Sequence, residues 1–190
     1  SSDGGQAWQH KGMGLVSEVF KEENLQKLPG KLAIGHVRYS TTGSSTISNA
    51  QPFLVHFAGE YYALAHNGNI LNAQKLRKEL EDSGSIFQST MDSEVVVHRM
   101  AHHMRKGLEK ALAAALSRLE GAYCFIMMTR DKIIAARDPR GFRPLALGKL
   151  NGSWVIASET CAFDLVGAEY VRDVEPGEVL IIDQKGLRSI

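Results

Sequence analysis

The apolar positions change period twice along the chain. Short runs and alternations come first, a spacing of three to four residues follows through the middle, and short runs return after residue 121. Gln6 to His10 predicts a strand ending at Lys11-Gly12. Leu32 to Tyr39 predicts another, with Leu32, Ile34 and His36 on one face. The small polar residues from Thr41 to Thr46 predict a loop, and Tyr61 to His66 predicts a strand stopped by Asn67-Gly68.

The middle of the chain predicts three helices. The first is capped by Asn72 and runs to about Glu81, with Ala73, Leu76 and Leu80 as its apolar stripe and Gly84 beyond its end. The second starts near Asp92-Ser93, with Val95, Val96, Met100 and Met104 on one side. The third spans Leu108 to Leu119, presents Leu112, Ala115 and Leu116 inward, and stops at Glu120-Gly121. Strands then return at Ala122–Thr129, Lys132–Ala136, Leu145–Leu150, Ser153–Ser158, Val179–Asp183 and Leu187–Ile190. Asn151-Gly152 joins two of them, and both residues of that dipeptide accept the positive φ a tight hairpin requires. The order of strands, helices, strands points to an α+β fold of antiparallel sheets with segregated helices. No repeat, low-complexity tract or linker divides residues 1–190, which read as a single domain.

Composition narrows the function classes. The 190 residues are 44% apolar and 23% charged, enough for an ordinary core, and the formal net charge is +1. No run is both basic and aromatic, so nucleic acid is not a favoured partner. No apolar run reaches the length of a membrane span, so no membrane association is expected. The two cysteines, Cys124 and Cys161, fit neither a zinc site nor a disulfide framework, and a reduced, cytoplasmic setting accounts for them. His98, His102 and His103 share a predicted helix but lack the carboxylate companions of a metal site, so they read as a solvated face and no metal is expected.

Four segments are candidates for chemistry. In Gly35–Gly43, Arg38 followed by hydroxyls suits a carboxylate ligand, or is an exposed arginine before a polar loop. Asn67-Gly68 is a tight turn, or an oxyanion hole in which the Asn67 amide and the Gly68 N–H converge on one oxygen. In Ser89–Glu94, the acidic residues cap a helix, and Asp92 would in addition hold a ligand ammonium. Asp138–Leu145 has two prolines and three charged residues; it is a phosphate or partner contact, or a structural corner.

In this order, GHVRYSTTG (35–43), LAHNGNILNA (64–73) and GSIFQSTMDSEV (84–95) resemble class II glutamine amidotransferases, which are N-terminal-nucleophile hydrolases. DPRGFRPLALG (138–148), ASETCAFDLVGA (157–168) and VEPGE (174–178) resemble the amidophosphoribosyltransferase branch of them. The resemblance implies a four-layer αββα sandwich. It implies that Arg38 with Thr41 binds the glutamine α-carboxylate, that Asp92 binds the α-ammonium, and that Asn67 and Gly68 form the oxyanion hole. It implies a glutaminase whose ammonia passes to a phosphoribosyltransferase domain of the same parent chain, expected after residue 190, in an enzyme that assembles as a homo-oligomer. Mg2+ and, in some relatives, an iron–sulfur cluster belong to that parent outside this segment, and no cofactor is expected within it. The family nucleophile is an N-terminal cysteine, and the chain begins Ser1-Ser2-Asp3-Gly4-Gly5. The resemblance aligns Gly4-Gly5 well past that cysteine, so Ser1 is out of register to replace it, the domain reads as N-terminally truncated, and the fragment is expected to be inactive alone. A non-catalytic glutamine-binding or regulatory module of the same fold is the alternative.

Overall fold

The computed structural model describes residues 1–38 and 46–190. Residues 39–45, including the candidate Thr41 and most of the expected polar loop, lie outside the described residues.

Two single-turn helices, α1 (Val16–Val19) and α2 (Glu22–Leu25), precede the hairpin of β1 (Phe53–Phe57) and β2 (Glu60–Ile70). Helices α3 (Ala73–Asp82), α4 (Glu94–His103) and α5 (Leu108–Leu116) follow. The chain continues through β3 (Gly121–Met128), β4 (Ile133–Arg137), β5 (Ala146–Leu150), β6 (Ser153–Ala157), α6 (Cys161–Val166), β7 (Glu169–Asp173), β8 (Val179–Asp183) and β9 (Gly186–Ser189). Among the described residues these strands form two antiparallel sheets, one ordered β1-β2-β3-β4-β8-β9 and one ordered β6-β5-β7.

The two-residue period of the strands builds the layers. In β3, Phe125 and Met127 face the cluster formed with Leu76, Leu80, Val95, Val96, Met100, Leu112 and Ala115 of the helices. Their neighbours Cys124 and Ile126 face the opposite way, into a second cluster with Leu145 and Leu147 of the smaller sheet and Val174. Ala135 and Leu180 do the same beside Ile134 and Ile181. The larger sheet is thus buried on both faces. On the far side of the smaller sheet, Phe163 of α6 is buried over Gly148, where a Cβ would stand 3.1 Å from its Cζ. Helices, sheet, sheet and α6 make the αββα order. A bidentate pair ties the sheets together: Arg172 of β7 donates to both oxygens of Glu178, which precedes β8, at 2.8 and 2.7 Å.

The helices match their expected stripes, including buried Ala73, Leu76 and Leu80. Asn72 precedes α3 but does not cap it. Its amide donates to Arg118 O and its oxygen accepts from Glu120 N–H, which clamps the start of α3 to the end of α5. Asn151 and Gly152 have φ of 49° and 83°, as the hairpin requires.

Three expectations need correction. Residues 6–10 and the described part of 32–39 form no regular strand, because a strand needs a ladder and these segments have only isolated bridges, Ser2 with Ala7 and Ser2 with Leu32. The alternation within the second is nonetheless present: Leu32, Ile34, His36 and Arg38 are half-buried, and the residues between them are exposed. The strand from Tyr61 does not stop at Asn67-Gly68; pairing with β3 carries it through to Ile70. The elements α1, α2, β1, α6 and β7 are absent from the sequence expectations.

The Arg172–Glu178 pair generates a pH prediction. The side-chain hydrogen bonds from Arg172 hold the Glu178 carboxyl down to about 2, against an ordinary value of 4.5. A carboxyl lowered on folding contributes stability above its unfolded value and loses it as pH falls through the folded value. Glu178→Gln is therefore expected to melt below the parent at pH 7, by a margin that shrinks as pH falls from about 4.5 toward about 2. Thermal melts across that range check it; a margin that does not change with pH would contradict it.

Candidate functional site

The site grows from one edge of β2. β1 pairs with β2 only as far as Phe53 opposite Leu64, whereas β3 pairs with it to Gly121 opposite Ile70. Residues 65–70 therefore have a strand on one side only. Alternate N–H groups of a strand point to the same edge. On the open edge, His66 N–H donates to Gln51 Oε1 at 2.6 Å and Ile70 N–H donates to Asp92 Oδ2 at 2.8 Å. Gly68 N–H lies between them on that edge, and Gly68 lines a cleft of about 760 Å3. Glycine is required here: φ is +152°, and a Cβ would stand 2.1 Å from Ala122 O on β3 and 2.8 Å from His66 Nε2.

Asp92 comes from the segment joining α3 to α4, which is held by buried polar groups. Glu94 is fully buried, and its carboxylate accepts Gln88 N–H at 2.7 Å, Ser89 N–H at 2.8 Å and the Ser89 hydroxyl at 2.6 Å. Buried Asn49 accepts Thr90 N–H and donates to the Thr90 hydroxyl. Arg77 donates to Ser89 O and Met91 O while its guanidinium lies 3.9 Å over the Phe87 ring. The segment can thus present Asp92 in one place. Burial opposes ionisation of Asp92, but His66 and the N–H groups of Ile70 and Ser93 outweigh it, and the carboxyl sits below its ordinary range. For Glu94, burial is likewise outweighed by hydrogen bonds from His98, Ser89 and Gln88.

The segment before residue 39 supplies the third side. His36 Nε2 lies 3.1 Å from His66 O; a carbonyl only accepts, so Nε2 carries the hydrogen. Burial pushes the His36 pKa down, which favours the neutral ring. That contact anchors 35–38 against β2, and Arg38 lines the same cleft as Asn67, Gly68 and Asp92. Four of the five residues singled out from the sequence thus share one cleft, and Thr41 lies outside the described residues. The Asn67-Gly68 turn reading is replaced by an extended strand with one free edge.

The Asp138–Leu145 segment is a structural corner. Asp138 is fully buried and accepts from Tyr123, Arg140 and Phe142 N–H. The Arg137 guanidinium donates to Arg143 O, Val174 O and Gly141 O. Arg143 also lines the cleft, as does Ser158.

Neither cysteine belongs to the cleft. Cys124 is buried, its thiol lies 3.5 Å from Arg143 O, and burial pushes its pKa up to about 11. Cys161 is exposed at the start of α6. His98 faces Glu94 and His102 faces Ser85, and among the described residues no three His, Cys, Asp or Glu side chains gather as a metal site. Among the described residues no helix is long and apolar enough to cross a membrane. Sequence reasoning misses Asn49, Gln51, Arg77 and Glu94, whose roles are to hold other groups. Most of their partners lie far along the chain, Gln51 on His66, Arg77 on Ser89 and Asn49 on Thr90, so no local pattern signals them.

Comparison with known proteins adds the context. Residues 36–164 match the family described as a glutamine amidotransferase domain. The chain is 48% identical over 190 residues to the amidophosphoribosyltransferase of Bacillus subtilis, covering all of this chain and 40% of that protein. It is 51% identical over 178 residues to the chloroplastic amidophosphoribosyltransferase 2 of Arabidopsis thaliana, covering 93% of this chain and 32% of that one. The solved glutamine phosphoribosylpyrophosphate amidotransferase of B. subtilis, complexed with ADP and GMP, superposes with a TM-score of 0.92 at 47% identity, over all of this chain and 41% of that structure. The chain therefore spans about a third to about two fifths of the length of these relatives.

Two glycines of the β1–β2 hairpin separate strain from crowding. Gly59 has φ of +77° and nothing within 4 Å of an added Cβ. Gly59→Ala is expected to lose about 1–2 kcal/mol from backbone strain alone. Gly68→Ala must in addition push β2 away from Ala122 O, and is expected to lose about 1–3 kcal/mol more. Urea unfolding of both variants checks the difference; equal losses would contradict the close approach at Gly68.

Proposed function

Since the chain belongs to the glutamine amidotransferase domain family, we propose that residues 1–190 are the glutamine-binding and ammonia-releasing domain of an amidophosphoribosyltransferase. The observation that carries this reading is the single cleft lined by Arg38, Asn67, Gly68 and Asp92, which come from three separate segments. Its chemistry matches glutamine end to end. A guanidinium suits the α-carboxylate, a carboxylate kept ionised suits the α-ammonium, and a strand-edge N–H beside a side-chain amide suits the oxygen of the reacting carbonyl. Thr41 would join Arg38 on the carboxylate.

In this reading a cysteine thiolate from outside residues 1–190 attacks the glutamine side-chain carbonyl, with its own α-amine as base. The tetrahedral oxyanion forms against Gly68 N–H and the Asn67 amide. The C–N bond then breaks, the nitrogen leaves as ammonia, and water cleaves the thioester to give glutamate and regenerate the thiol. The ammonia displaces pyrophosphate from phosphoribosyl pyrophosphate in a further domain of the parent chain, giving phosphoribosylamine, the first step of purine synthesis. The glutaminase half needs no metal, because the thiolate supplies the nucleophile and fixed N–H donors hold the charge; Mg2+ would serve the phosphoribosyl site. The two free thiols suit a reducing compartment, the cytoplasm in our reading, and the parent is read as a homo-oligomer.

Calorimetric titration of the 190-residue protein with L-glutamine tests this. Binding is expected, and Arg38→Ala and Asp92→Asn should each weaken it by about 100-fold, the order of effect of removing one charge from a desolvated pair. The same protein should release no glutamate, whereas a chain extended upstream to an N-terminal cysteine should. Absence of glutamine binding, or steady glutamate release by the 190 residues, would overturn the reading.

A further inference from the structure

His66 is a buried histidine beneath the cleft that the mechanism above does not use. It is 5% exposed, sits on β2 one residue before Asn67, and packs its ring 4.7 Å from that of Phe125. Its Nδ1 lies 3.4 Å from Asp92 Oδ1, and its Nε2 is buried without a hydrogen-bond partner among the described residues. A carboxylate facing Nδ1 favours hydrogen on that nitrogen, and Nε2 lies beneath Gly68, 2.8 Å from where a Cβ at that position would stand. The other oxygen of Asp92 accepts Ile70 N–H at 2.8 Å. Asp92 thus has a 3.4 Å contact with the His66 ring and a hydrogen bond from Ile70 N–H, and those two residues lie two strand positions either side of Gly68.

We propose that His66 is a positioning residue for the ammonium end of the ligand: it fixes the Asp92 carboxylate through Nδ1–H and locks that carboxylate in register with the Asn67-Gly68 edge. This rests on the reading of the cleft as a glutamine site. The geometry favours it over simple core filling. A histidine that only filled space would not need its ring nitrogen turned to the carboxylate, and an apolar ring at 66 would pack on Phe125 without leaving Nε2 unpartnered. The arrangement links the two ends of the ligand through one rigid strand. The ammonium partner and the oxyanion donor are held at a fixed separation, so a ligand of the right length engages both.

The test compares two ligands by NMR titration of the 190-residue protein: L-glutamine, and glutaramate, which is glutamine without its α-ammonium. His66→Phe keeps the ring and removes the donor. It is expected to weaken glutamine about tenfold, the order of one ordinary polar contact, and to leave glutaramate unchanged. His66→Asn places an amide N–H close to where Nδ1–H stood and should restore most of the loss. His66→Gln, whose amide reaches the Nε2 position instead, should not. Equal weakening of both ligands in His66→Phe, or unchanged glutamine binding, would overturn the proposal. Should His66→Phe fail to fold, the Asn and Gln variants decide alone, and equal glutamine binding by those two would overturn it. A parent protein that binds neither ligand would sink the glutamine reading and this assignment with it, whereas a parent that binds glutamine while the variants do not discriminate would sink this assignment only.

Discussion

The edge of β2 beyond Leu64 is the constraint on which the site depends. A strand with a partner on one side must satisfy or expose the N–H groups on its other side. Two side chains satisfy two of them: Gln51 takes His66 N–H and Asp92 takes Ile70 N–H. The group between, Gly68 N–H, faces the cleft. One backbone segment thereby fixes the N–H that would face an oxyanion in the proposed reaction and, through Ile70, the position of the carboxylate that would face an ammonium. The strand holds this geometry because it is the second of six in its sheet and places Tyr62, Leu64 and Ile70 in the apolar cluster shared with the helices, so shifting it would disturb that cluster.

The remaining walls are positioned by buried polar groups rather than by regular structure. The segment before α4 is held by Glu94, Asn49 and Arg77, each satisfied by several hydrogen bonds. The segment before residue 39 is held through His36 on His66 O. Networks of this kind are costly when half-made and specific when complete. They suit loops that must present a charged side chain at one point in space.

The same dipeptide shows what is legible in the sequence and what is not. Asn151-Gly152 reads as a hairpin turn and is one, with positive φ at both positions. Asn67-Gly68 carries the same local signal yet lies in mid-strand, because β3 pairs with it on one side and only glycine fits against Ala122 O. Tertiary pairing decides the second case, and no window of neighbouring residues contains it. The helices at 73–82, 94–103 and 108–116 are legible because each is long enough to show a period. The alternation at Leu32, Ile34 and His36 marks a partly buried face, but the ladder that would make it a strand is not formed among the described residues. Arg38, Asn67, Gly68 and Asp92 are legible as residue types suited to an amino acid zwitterion and an oxyanion. Their meeting in one cleft is not, since Arg38 and Asp92 are far apart in the chain. Gln51, which holds the strand edge from a distant segment, is invisible for the same reason.

The most direct measurement is a crystal structure of the 190-residue protein with L-glutamine bound. The expected result is one glutamine in the cleft, with its carboxylate on Arg38, its ammonium on Asp92 and its side-chain carbonyl oxygen within hydrogen-bond distance of Gly68 N–H. A glutamine bound in the reverse direction, or bound elsewhere with Gly68 N–H facing no ligand oxygen, would contradict the free edge of β2 as the oxyanion donor.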